Sequence, residues 1–417
     1  MELWKFLPLK SGGRLEARSA ALLVWRNSCY AVPPLQRAGL IEAKGTLSQV
    51  RECPRVSPAA ARHPITGRDK RATDSRAVRA GHPAPRTALP LQWAGPMRLR
   101  TLNVGCFGGG TGLPALLGAL KRNPWVRPHA VVTTFDSGGS SGKLRDELGV
   151  LPPGDVLRCA LALARNEGEA RRVLLGRLPA LGNQRLGGHT GGNLLLSMME
   201  QYSGDFLAAV NGLRALLGCR GYVWPISVER STLCARYDDG SVRRGEVEVD
   251  EGHDRGLRID EIWLEPPATI HPAVATAIEG FDAAVIGPGS FFTSLMPTLL
   301  VDGVAERLRA VPGPIILVAN LLTEGDGMRD FTAADAVRWV TTTIGRPVDV
   351  VIVNEGHPRA EVLARYREEQ KVPLPVGEMP DGCLVVSGAF WQSDIARHHR
   401  RRLSYAVWAV LSRSLLA

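Results

Sequence analysis

The chain has 417 residues, 45% of them apolar, enough for one large α/β core with additions or for two or three domains. Its net charge of +10 lies wholly in residues 1–96, which hold 16 Lys/Arg against 6 Asp/Glu; the remainder carries 35 of each sign, which removes a nucleic-acid argument for most of the chain. No apolar run approaches the ~20 residues of a membrane-spanning helix, and seven scattered cysteines, never spaced C-x-x-C, argue against a disulfide frame or zinc site and for reduced, cytoplasmic thiols.

Residues 1–96 are rich in Pro, Arg and Ala and poor in regular periodicity. Such a composition buries too little apolar surface to offset chain entropy, so this basic extension is expected to be disordered or a mis-assigned start, with Met97 as the true one. A transit segment or a nucleic-acid arm is the competing reading.

From Met97 on, strand-like and helix-like segments alternate. "TLNVGCF" reads as a strand, "TGLPALLGALKR" as a helix and "AVVTTF" as a second buried strand. Helices follow at "VLRCALALAR", "GNLLLSMMEQY" and "DFLAAVNGLRALL". Residues 222–264 change to short alternating segments with a turn at Asp239-Gly240, which predicts a small β-rich insertion. "AAVIG", "PIILVAN" and "VDVVIVNE" then return as strands with helices between them. The alternation predicts a Rossmann-like, doubly wound α/β fold with a mainly parallel sheet over residues 97–417. Ligands of such sheets sit beyond the carboxyl ends of the strands.

Four glycine-rich loops fall at predicted strand ends or helix starts. Gly108-Gly109-Gly110-Thr111-Gly112 follows the first strand, where bare backbone and free helix amides favour a phosphate. Gly110-x-Gly112-x-x-Ala115 loosely fits a dinucleotide fingerprint, and a tight turn explains it equally well. The second loop, "DSGGSSGKLRDELGVLPPGD", misses the Walker A spacing and lacks its Ser/Thr after Lys143. Its Ser137, Ser140 and Ser141 could still cradle an anion. Asp136 could bind a divalent cation or ligand hydroxyls, whereas Asp155 reads as an N-cap as readily as a ligand. "GGHTGGN" sets His189, Thr190 and Asn193 at a helix start. "GPGSFFTS" repeats the pattern with Gly289, Ser290 and Thr293, its two Phe residues being core filler. One such loop is ordinary in an α/β protein; four on one rim predict a phosphate-rich, nucleotide-like ligand.

These motifs, "GGGTGLPALLGAL", "DSGGSSGKLRDELGVLPPGD", "HTGGNLLL" and "GPGSFFTSLMP", resemble in the same order those of the CofD-like superfamily, from about Met97 to the C-terminus. Its branches include 2-phospho-L-lactate transferases and gluconeogenesis factors, and the second and fourth motifs look more like the latter. The resemblance implies a protein that binds a nucleotide derivative such as a nucleotide sugar, linked to cell shape and growth on gluconeogenic carbon. The transferase branch instead moves a phospholactyl group from a guanosine-linked donor to a deazaflavin alcohol, with Mg2+.

Carried over by position, Gly109, Gly110, Thr111 and Gly112 would meet phosphate or ribose. Asp136 would hold Mg2+ or hydroxyls, Ser140 and Ser141 would line the site, and Arg145 would supply charge. Asn193, Gly289, Ser290, Thr293 and Asn320 would complete the pocket. Were the protein an enzyme, Asp136, Arg145 and His189 would be its catalytic candidates. Two positions depart from the gluconeogenesis-factor pattern: Ser137 stands where a second Asp is usual, and the usual Gly-Glu-Thr-Asp-Gly loop is replaced by "EGDGMRD". A nucleic-acid function through the basic front ranks last, lacking interleaved aromatics or a known module. The tail "RHHRRRLSYAVWAVLSRSLLA" predicts a basic patch leading into an amphipathic helix that docks on the core. A homo-oligomer contact or a membrane surface is the alternative use of that helix.

Overall fold

Runs of Val, Ile, Leu and Ala with no polar alternation form three of the seven strands at the centre of the computed structural model, as strands buried on both faces require. The structure describes residues 100–135, 151–179, 188–252 and 256–415, all in one of the chain's two compact units. The extension 1–96 and most of the "DSGGSSGKLRDELGVLPPGD" stretch lie outside the described residues.

The main strands are β1 (Leu102–Gly108), β2 (Val126–Val132), β3 (Tyr222–Pro225), β7 (Ala283–Ile286), β8 (Ile315–Val318), β9 (Val350–Asn354) and β10 (Leu384–Gly388). All pair in parallel, in the order β10-β9-β8-β7-β1-β2-β3. The chain winds outward from β1 through β2 to β3, then returns to β7 on the other side of β1 and winds the opposite way. The reversal between β1 and β7 opens a crevice at the carboxyl ends of those two strands, as in Rossmann-like folds.

Alternate residues of each strand feed two cores. On one face Val104, Cys106, Val132, Val285 and Val318 pack beneath α1 (Gly112–Leu120), α2 (Gly154–Leu163), α5 (Phe206–Leu216) and the C-terminal helix α12 (Arg400–Leu415). The tail therefore docks on the core through Leu403, Val407 and Leu411, as its pattern predicts. On the other face Phe107, Val131, Ile286 and Leu317 pack against α7 (Pro272–Glu279), α9 (Val304–Ala310) and α10 (Ala333–Ile344). Burial pushes the Cys106 thiol up to about 12, so it serves packing rather than nucleophilic chemistry.

The insertion differs from the expected 222–264. Tyr222–Pro225 joins the main sheet as edge strand β3, paired in parallel with β2. At four residues it is too short to show its allegiance by pattern. The separate sheet is antiparallel, with β4 (Thr232–Tyr237) at its centre between β5 (Val242–Arg244) and β6 (Ile259–Glu265). Between β5 and β6 lies the short helix α6 (Glu246–Gly252), held down by buried Val249 and by the Tyr237 hydroxyl, which donates to the Val249 carbonyl at 2.9 Å.

Candidate functional site

The first loop is built by close approach. Gly108 and Gly110 take positive φ angles of 143° and 64°, which L side chains resist. A Cβ on Gly109 would lie 2.3 Å from Asp155 Oδ2, and one on Gly112 would lie 2.6 Å from the Pro288 carbonyl oxygen. The glycines thus let this loop touch both α2 and the loop after β7.

Asp155 is the clamp. Its Oδ2 accepts the Gly110 amide at 2.5 Å and its Oδ1 accepts Arg158 Nη1 at 2.5 Å, while the residue is 5% exposed. Of the two roles open to Asp155 in the sequence, the N-cap falls to Pro153, with Asp155 inside the first turn of α2. Its partner lies 45 residues upstream, so its role is to tie a helix to a distant loop. The Gly110 amide, expected to face an anion, is the donor in this tie.

After β7, the cis Gly287–Pro288 bond leads into Ser290 and a π-helical turn over Phe291–Leu295. Ser290 Oγ and Thr293 Oγ1 share a 2.7 Å hydrogen bond. Phe291 and Phe292 are buried in an aromatic cluster with Phe331 and Trp339, the core role expected of them. Glu324, in the loop after β8, fixes two neighbours through Oε1: the Phe291 amide donates at 2.7 Å and Asn320 Nδ2 at 2.6 Å.

These loops open on one cleft of about 690 Å3, a size typical of small-molecule sites. Gly110, Thr111, Gly112, Gly289, Ser290, Thr293 and Asn320 line it together, so the structure unites seven of the sequence candidates at the β1/β7 crevice. Gly109 lies behind them against Asp155 and Thr133.

Three further elements form the facing wall. The insertion helix contributes Glu246 and Asp250. The segment after α11 (Ala360–Arg367) contributes Lys371, placed by the Val372 amide donating to Thr323 Oγ1 at 3.0 Å. A short hairpin of β11 (Trp391–Gln392) and β12 (Ile395–His398) contributes Arg397 and His398. Tyr366 braces this hairpin: its hydroxyl accepts the Ala396 amide at 2.8 Å, and its ring meets Trp391 edge-on. Burial pushes His398 down to about 4, against an opposing hydrogen bond with the Ala319 backbone, so it is neutral near pH 7.

The cleft therefore combines hydroxyls and backbone groups on one side with cations and carboxylates on the other. Cations suit phosphate, and carboxylates and hydroxyls suit sugar and base polar groups. Glu324, Lys371, Arg397 and His398 escape the sequence reading. The last two sit in the charge run "ARHHRRR", which signals a solvated patch, and the hairpin that turns them inward is too short to show alternation.

The third loop stands apart. Thr190 is the N-cap of α4 (Gly191–Ser203), its side chain accepting the Asn193 amide at 3.3 Å. The His189 carbonyl accepts the Leu178 amide at 2.9 Å. Both His189 and Asn193 are buried, and neither lines the cleft. Asp136, Ser140, Ser141 and Arg145 lie outside the described residues. Among the described residues no three His, Cys, Asp or Glu side chains gather as a cation site. No described helix is long and apolar enough to cross a membrane.

A family model described as "2-phospho-L-lactate transferase CofD" matches residues 104–391. A protein of Bacillus subtilis named gluconeogenesis factor is 36% identical, over 72% of this chain and 95% of its own length. The gluconeogenesis factor of Halalkalibacterium halodurans is 34% identical over 74% of this chain and 96% of its own. A crystal structure of a UPF0052 family member from Bacillus halodurans superposes with a TM-score of 0.69 at 34% identity. It covers 74% of this chain and 99% of that one.

Proposed function

The chain belongs to the CofD family, among its gluconeogenesis factors, and from that premise we propose that the cleft binds a nucleotide derivative of the nucleotide-sugar class. The protein then acts as a cytoplasmic, ligand-binding factor linked to cell shape and to growth on gluconeogenic carbon. One observation carries the reading: the loops after β1, β7 and β8 converge at the sheet's reversal point and face Lys371 and Arg397 across a single cleft.

In this reading the phosphates lie toward Thr111, Ser290 and the two cations. Fixed donors and cations there replace the water that a phosphate loses on binding. The carboxylates of Glu246 and Asp250 accept hydrogen bonds from sugar or base. Glu324 positions the first wall, its Oε1 holding Phe291 and Asn320. Mg2+ would be held by Asp136. The phospholactyl-transferase reading is not favoured, because the closely matching relatives are named gluconeogenesis factors.

Thermal-shift titration of the full chain with UDP-sugars, guanosine nucleotides and NAD tests this. A ligand at 100 times its dissociation constant adds about 2.7 kcal/mol of stability. Stabilisation by a nucleotide sugar that the Arg397→Ala variant loses supports the reading. No shift with any of the three classes overturns it.

A further inference from the structure

A second concavity, of about 360 Å3, lies at the other end of α1 from the cleft. Gly112 at the start of α1 lines the cleft, whereas Leu120 at its end lines this groove, whose opposite wall is the first half of α12. Nothing assigned to the cleft uses it.

The groove is strongly one-signed. Arg122, Arg400 and Arg401 line it, and among the described residues no carboxylate does. Arg400 is pinned: its Nη1 meets Glu167 Oε1 at 2.8 Å, while Glu167 Oε2 takes Lys121 Nζ at 3.4 Å. Both groups lie over Gly118, where a Cβ would come within 3.3 Å of Glu167 and 3.4 Å of Arg400. Arg122 and Arg401 are different. Both are exposed, and neither makes an ion pair among the described residues. Two uncommitted guanidinium forks at one mouth match the oxygens of a phosphate, and they disfavour any cationic occupant.

The groove also presents rings. Tyr405 is 64% exposed, and Trp408, three residues along the same helix, is half-buried and lines the same groove. On a helix, positions three apart share a face, so both rings open on the same groove. A planar ligand can lie against them and gain stacking beyond simple burial. The volume is of the order found for small-molecule sites.

We propose that this groove is a second ligand site, separate from the cleft, for a small phosphate-bearing compound with a planar ring, of the nucleoside phosphate class. Its phosphates pair with Arg122 and Arg401, and its ring lies on Tyr405 and Trp408. The site does not depend on what the cleft binds.

The test uses the full chain with ATP as probe, beside tripolyphosphate (charge without a ring) and adenosine (a ring without charge). ATP is expected to bind more tightly than either fragment. The double variant Arg401→Glu/Tyr405→Ala, both positions exposed, should weaken ATP binding roughly tenfold or more, while Arg397→Ala in the cleft leaves this binding in place. Photolabelling of the unsubstituted chain with 8-azido-ATP should mark peptides spanning 118–125 or 400–408. Tripolyphosphate binding as tightly as ATP, or ATP binding unmoved by the double variant, overturns the proposal. So does labelling confined to cleft peptides, or a single-stranded RNA that outcompetes ATP at equal phosphate concentration.

Discussion

The Asp155 carboxylate holds the Gly110 amide at 2.5 Å, joining the first turn of α2 to the loop that follows β1. The same carboxylate takes Arg158, so one buried group fixes the height of the loop against the sheet's rim. Replacing Asp155 with Ala leaves a buried amide and a guanidinium without this acceptor. The expected cost is about 2–3 kcal/mol, read as a lower urea midpoint with an unchanged slope. Asp155→Asn keeps an acceptor oxygen and should lose less than half as much.

Gly112 rests on the Pro288–Gly289 peptide, where a Cβ would be 2.6 Å from the Pro288 oxygen. Gly112→Ala must therefore push two loops apart, which costs about 1–3 kcal/mol as overpacking does elsewhere. Nucleotide-sugar stabilisation should fall with it. A Gly112→Ala protein as stable as the parent would show that the contact relaxes freely.

Arg397 is exposed on the hairpin and lines the cleft, so its removal should spare the fold and weaken the ligand. A lost charge-assisted hydrogen bond of about 1.5–3 kcal/mol corresponds to roughly 10- to 100-fold in affinity. Titration calorimetry of Arg397→Ala with the ligand identified by thermal shift gives the number directly. Arg397→Lys should recover part of it, because a point charge replaces the fork.

His398 and His129 are both pushed by burial down to about 4, from an ordinary 6.5. The unfolded chain takes up protons below about pH 6.5 while the folded imidazoles stay neutral. Stability is therefore complete above that value, falls as pH drops, and has lost the whole contribution near pH 4. Each histidine accounts for roughly 2–4 kcal/mol over that window. Urea unfolding at about pH 7 and about pH 5 should show the decline, and His398→Gln should remove its own share of the slope.

Much of the frame is legible in the residues. The runs "NVGCF", "AAVI", "IILV" and "VVIV" become strands buried on both faces, and the glycines at their ends become the cleft's first wall. The second wall is not legible. Its members come from an inserted helix, from a loop and from a hairpin of two- and four-residue strands, none long enough for a hydrophobic period to appear. Asp155 shows the same limit from another side. An Asp after Pro-Gly before a helix has the composition of a cap, and only the fold reveals that its acceptor serves a loop 45 residues away. Histidine and asparagine in "GGHTGGN" carry the look of ligands, yet a capped helix start against α2 accounts for their burial away from the cleft.

The backbone contact of Gly112 with Pro288 also decides which half of the site can adapt. Two turns of the parallel sheet abut there with no side chain between them, so neither can swing outward alone, and they behave as a fixed anvil. Accommodation of a bulkier cargo falls to the opposing jaw, whose Arg397 and Glu246 ride on segments that do not belong to that sheet. Relatives that accept different molecules on the same anvil should accordingly diverge in the hairpin and the inserted helix, while their glycine turns stay superimposable.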